Sequence, residues 1–199
     1  MFAEIVSWIA VAVILIASAG MLIGRDWRLN LGLLALQYMA AFWLVTRHWP
    51  LGMASVKLVT GWMATAALGM TRLSLPQDDN EPETSWPRGQ WFRLFLAGII
   101  TLLAAAAAPR IEAAIPGLGM PVVAGSLLLI GMGLIHLGVT SQILRVISGL
   151  LTILTGFEII YAAVESSILV AGLLAAVNMG LALAGSYLLM ANSSSEGSA

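Results

Sequence analysis

Lys57, Glu158 and His136 are ionisable residues inside stretches that are otherwise almost wholly apolar. An ionisable side chain deep in hydrocarbon costs about 2.5 to 3.5 kcal/mol on insertion scales, so each of the three requires a partner or a purpose. Lys57 lies about six residues into its apolar run, roughly 9 Å at 1.5 Å per residue, and Glu158 lies equally far from the end of its own. Equal depth makes a Lys57 to Glu158 ion pair geometrically feasible, and pairing would offset part of the insertion cost. Gln37 and Asn178 add two amides near the middle of other apolar runs, and His136 falls about four residues from the end of its run. Ser148, Thr152, Thr155 and Glu158 share one face of a helix, and Ala171, Ala175, Asn178 and Ala182 share a face of another. The five residues Lys57, Glu158, His136, Gln37 and Asn178 are the candidate proton or ion path, a polar file across an apolar slab.

Each of these residues also has a structural reading. A lysine can snorkel its ammonium along a flexible stem to the headgroups. A shorter glutamate cannot reach as far, and its structural alternative is a hydrogen bond to a neighbouring helix. His136 can serve as a satisfied helix-contact residue, although an imidazole titrating at about 6.5 also suits proton relay. Gln37 and Asn178 can act as interhelical glue, worth about 0.6 kcal/mol each in measured cases.

The elements that must position these residues follow from composition. Of 199 residues, 60% are hydrophobic and 10% charged, and the mean hydropathy is +0.96. A soluble domain needs roughly a quarter of its residues charged, so the chain is built for lipid. In lipid every backbone polar group must be satisfied internally, which leaves helices or a closed barrel. Runs of about 17 to 22 residues rich in Ala, Leu, Ile and Gly select helices. The spans expected are Phe2 to Ile23, Leu29 to Thr46, Leu51 to Met70, Trp91 to Ala108, Met120 to Thr140, Ile143 to Val164 and Ile168 to Ala191.

Breaks fall at Gly24 to Arg28, Arg47 to Pro50, Pro109-Arg110 and Pro116-Gly117. Residues 71–90, with Asp78, Asp79, Glu81, Glu83 and three prolines, read as a polar linker, and residues 192–199 as a disordered tail. The start of the chain has no basic n-region and reads as a first spanning helix rather than a cleaved signal. With seven crossings, Arg25, Arg28, Arg72, Arg88, Arg93 and Arg145 fall on one side and Arg47 and Arg110 on the other. The positive-inside rule then makes the Arg-rich side cytoplasmic and places the N-terminus outside a cell (inner) membrane, the C-terminus inside. Trp8, Trp27, Trp49, Trp86 and Trp91 sit near expected helix ends, where indole prefers the headgroup layer.

Two halves share a pattern. Arg28-Leu-Asn-Leu-Gly32-Leu-Leu-Ala matches Arg145-Val-Ile-Ser-Gly149-Leu-Leu-Thr, each opening the middle helix of three. The expected architecture is an all-α integral membrane protein of about seven transmembrane helices. Residues 1–70 and 120–191 form parallel three-helix repeats, and residues 91–119 provide one extra helix and a loop between them.

Trp27 to Gly32 with Gln37 downstream, Lys57 on the third helix, and Ser141 to Arg145 followed by Gly149 and Glu158 together resemble membrane component E of hydrogenase 4. The last three helices, Ser126 to Met190, resemble subunit K of respiratory complex I and the matching small subunit of multisubunit cation/proton antiporters. The resemblance implies a small subunit beside large antiporter-like membrane subunits, with Glu158 matching the buried acid of the middle helix. Where that family has a second buried glutamate this chain has Asn178, which can hydrogen-bond but not ionise.

Three readings follow. The first is an accessory membrane subunit of such an assembly, with Glu158 on a proton or ion path and Lys57 as its modulator. The second is a self-sufficient small oligomeric transporter with its site between the repeats, and the third a structural assembly protein. No nucleophile with a base and no nucleotide loop is present, so catalysis by this chain alone is not expected. The absence of cysteine excludes thiolate metal and iron–sulfur ligation by the chain, and no cofactor is expected. A net charge of −1 gives no reason to expect a nucleic-acid partner.

Overall fold

The computed structural model describes residues 2–75 and 89–196, all-helical with no strand among them. The helices are α1 (Phe2–Ile23), α2 (Trp27–Val45), α3 (Leu51–Ser74), α4 (Gln90–Ala114), α5 (Met120–Val139), α6 (Ile143–Val164) and α7 (Ile168–Glu196). All seven are long and apolar enough to cross a membrane. Local chemistry sets several boundaries. The Asp26 carboxylate accepts the Arg28 backbone N–H at 2.8 Å and caps α2. Pro50, which cannot donate a backbone hydrogen bond, stands at the N-cap of α3. Gly117 and Gly119 take positive φ in the turn before α5, a conformation that residues carrying a Cβ resist.

Three expected ends are overrun. Helix α3 continues past Met70 to Ser74, through residues expected in the linker. Pro109 does not stop α4, which continues to Ala114. The Ala104 to Ala108 run ahead of it is the strongest of helix formers, and in hydrocarbon a proline that removes one hydrogen bond leaves fewer orphan backbone groups than a helix end would. Nor does α7 stop at Ala191. It runs to Glu196, as extending a formed helix into Ser and Asn is cheap compared with nucleating one. The acidic residues of the linker, 78–83, lie outside the described residues, as do 197–199 of the tail.

Hydrogen bonds between helix ends fix the direction of every helix. At one end, His48 Nε2 donates to the Leu118 carbonyl and Trp49 Nε1 to the Glu165 carbonyl, both at 2.8 Å. These join the α2–α3, α4–α5 and α6–α7 loops. At the other end, Arg93 donates to the Leu22 carbonyl at 2.9 Å and Arg145 to the Gly24 carbonyl at 2.6 Å. They tie the starts of α4 and α6 to the carbonyl end of α1, which the two cations also suit electrostatically. Successive helices therefore alternate in direction, and α1–α3 run in the same senses as α5–α7.

Helices α1–α3 and α5–α7 form two facing rows. Helix α1 packs on α5, α2 on α6 and α3 on α7, while α4 lies outside against α5 and α1. With lipid as solvent, apolarity alone does not hold such rows together, and close approach must. Ser126 Oγ donates to the Gly156 carbonyl at 2.6 Å, and a Cβ on Gly133 would stand 2.9 Å from the Gly149 carbonyl oxygen. Helices α5 and α6 thus meet almost backbone to backbone.

Candidate functional site

Between the two rows, at the α3–α7 end, Lys57 Nζ donates to Glu158 Oε2 in a direct ion pair. Lys57 is 6% exposed and Glu158 4%, so neither charge is left to lipid. The pair has company that satisfies its remaining polar atoms. Asn178 Nδ2 donates to Glu158 Oε1 at 2.6 Å and more weakly to the Leu174 carbonyl at 3.3 Å. Tyr38 Oη in turn donates to Asn178 Oδ1 at 2.9 Å, and the Thr155 hydroxyl, which donates to the Leu151 carbonyl at 2.8 Å, lies close by. The Lys57 ammonium also sits 5.6 Å from the centroid of the Tyr38 ring, within cation–π range.

Four helices contribute one group each: Tyr38 from α2, Lys57 from α3, Glu158 from α6 and Asn178 from α7. Gly61, one turn after Lys57 on the same face of α3, opens the slot that the Tyr38 ring fills. A Cβ there would clash with the nearest ring atoms. A buried ion pair is held well when hydrogen bonds occupy its remaining lone pairs, and here the second carboxylate oxygen has the Asn178 donor.

The polar face of α6 continues away from this cluster toward the Arg145 end. Thr152, about 9 Å from Glu158 along the helix, donates to Gln37 Oε1 at 3.1 Å, and Gln37 Nε2 donates to Ser18 Oγ at 2.7 Å. One turn further on, Asn30 Nδ2 reaches Ser148 Oγ at 3.4 Å. The face ends at Arg145, buried against Gly24. From the Trp49 end, a narrow cleft lined by Met53, Val56 and Thr60 of α3 and Ala171, Leu174 and Ala175 of α7 reaches Lys57, Glu158 and Asn178.

The five candidates therefore divide. Lys57, Glu158 and Asn178 form one constellation. Gln37 belongs to a second polar station on the same face of α6 and does not touch the ion pair. His136 is 4% exposed, on α5 beside Gly149, and its Nε2 has no hydrogen-bond partner. Tyr38 and Ser18 are neighbours that composition and spacing did not single out, and Asn30 figured only in the Arg28 to Gly32 match between the halves. Tyr38 directly follows Gln37, and both are buried because α1, α3 and α6 surround α2. The signal available was the Lys57-x-x-x-Gly61 spacing, which leaves a ring-sized gap beside a charge. No group of three or more His, Cys, Asp or Glu able to hold a metal occurs among the described residues.

Compared with known proteins, the chain matches no family model, no curated protein and no solved structure.

Proposed function

We propose that this chain is an accessory membrane subunit of a complex I, energy-converting hydrogenase or cation/proton antiporter-like assembly, in which Glu158 takes up and releases a proton or ion. The observation that supports this reading best is the buried Lys57, Glu158 and Asn178 constellation at the head of a polar face that continues along α6. A protein whose polar residues served as glue alone would not need a full charge pair in hydrocarbon, where the same helices could be joined by amides and hydroxyls.

The mechanism follows from the contacts. While the Lys57 ammonium lies against Glu158, its charge and the Asn178 N–H favour the ionised carboxylate. When Lys57 swings on its four-carbon stem, Glu158 loses the counter-charge and accepts a proton. Return of Lys57 expels that proton toward whichever side is then open. The cleft between α3 and α7 supplies one approach, and toward the other lie the hydroxyls of Thr155, Thr152 and Ser148, which donate to carbonyls of their own helix and must turn outward to take part. The movement of Lys57 would be driven by large antiporter-like membrane subunits lying beside this chain. The Arg-rich end faces the cytoplasm of a cell (inner) membrane, with the N-terminus outside, as the distribution of arginines between the two ends supports.

The cleft also favours a second reading, a small transporter that works alone or as an oligomer. Gentle purification from native membranes with mass spectrometry of what travels with the chain separates the two. Co-purifying large antiporter-like subunits are expected, and Glu158→Gln should then abolish proton translocation by the intact complex while leaving the complex assembled. Normal translocation in that variant overturns the proton role. A lone chain that carries protons in liposomes selects the second reading.

A further inference from the structure

Asn178 stands between two groups that can each reverse their hydrogen-bonding sense. As the cluster is arranged, the tyrosine O–H points to Oδ1 of the amide and the amide N–H points to the ionised glutamate. A proton arriving on Glu158 Oε1 would meet that N–H donor head-on. The amide can relieve this by half a turn about its terminal torsion, after which Oδ1 accepts from the new carboxylic O–H. Its Nδ2 then faces the oxygen of Tyr38, which can accept it provided the phenolic hydrogen has somewhere else to go. The Thr155 hydroxyl, close to Tyr38 and donating its own hydrogen to the Leu151 carbonyl at 2.8 Å, has oxygen lone pairs to accept it. The turn gives up the weak 3.3 Å bond to the Leu174 carbonyl.

We propose that Tyr38 is a positioning residue that lets the Asn178 amide reverse in step with protonation of Glu158, so that the hydrogen-bond chain from α2 to α6 has two complete polarities. No proton passes through the amide and no bond other than the O–H on Glu158 is made. A phenol is suited to the post because it donates in one polarity and accepts in the other, whereas a phenylalanine could do neither. The ring is held for this task by Gly61 behind it and by the Lys57 ammonium near its face. The charged and titratable groups meeting Glu158 are Lys57 from α3 and, through Asn178, Tyr38 from α2. The inference rests on the proton reading for its purpose, though its test does not need proton flux.

That test is infrared difference spectroscopy of the full chain in lipid as pH is varied. The carboxyl band is assigned by its loss in Glu158→Gln, and the amide band by its loss in Asn178→Ala. In the unaltered protein the Asn178 amide band should shift in step with the appearance of the Glu158 carboxyl band. In Tyr38→Phe, which keeps the ring in its slot, that coupled shift should fall by more than half while the carboxyl band remains. Thr155→Ala, which keeps the phenol but removes the alternative acceptor, should also weaken it. Helical circular dichroism confirms that each variant is folded. An amide band that shifts normally in Tyr38→Phe, or that never shifts in the unaltered protein, overturns the proposal. If the shift is present but Glu158→Gln transports protons normally, the switch stands and the proton-path reading falls.

Discussion

Glu158 has both carboxylate oxygens committed, one to an ammonium and one to an amide, so single substitutions here should behave differently from paired ones. Lys57→Met leaves a buried carboxylate without its counter-charge, and we expect a loss of about 3 to 5 kcal/mol of stability in detergent. Adding Glu158→Gln to that variant should recover most of the loss, which thermal unfolding of the single and double variants would check. Gln37→Leu, by contrast, should cost about 0.6 kcal/mol, since Thr152 keeps its bond to the Ser148 carbonyl. At this scale the sequence revealed the costly charges because cost is visible one residue at a time. Tyr38 was illegible because an aromatic residue in an apolar run carries no cost until its neighbours are known. Asn30 figured in the sequence only as part of the Arg28 to Gly32 match, and its burial, at 1% exposed, follows from the packing of α2.

Helix limits were legible where the chain changes solvent, since a run of apolar residues ends where charges and prolines begin. They were illegible at Pro109, where a local breaker signal lost to the need of a backbone in lipid to stay helical, and at Met70 and Ala191, where a formed helix extends cheaply into polar residues. Glycines could be read as small but not as placed. Gly61→Ala should lower stability by about 1 to 3 kcal/mol, because the Tyr38 ring is fully buried and tethered by its hydroxyl. Gly172→Ala and Gly180→Ala meet open space and should be near neutral or slightly favourable, glycine being the poorer helix former. Comparing melting temperatures of the three variants would test whether α3 is fitted to that ring.

For the whole molecule, the alternating directions and the facing of α1–α3 against α5–α7 put the Arg47 and Glu165 loops at one end and Ser74 at the other. The chain has no cysteine, so single cysteines report cleanly. Ser166→Cys should react with a membrane-impermeant maleimide from outside intact cells. Ser74→Cys should react only after permeabilisation, and the reverse pattern would invert the proposed orientation. The ion pair adds a consequence in time. Lys57 precedes Glu158 by 101 residues, and a ribosome adding about 5 to 20 residues per second delivers the acid roughly 5 to 20 s after the base. Through that interval the ammonium lacks its carboxylate partner, and a flexible stem lets it reach the headgroups until α6 is made.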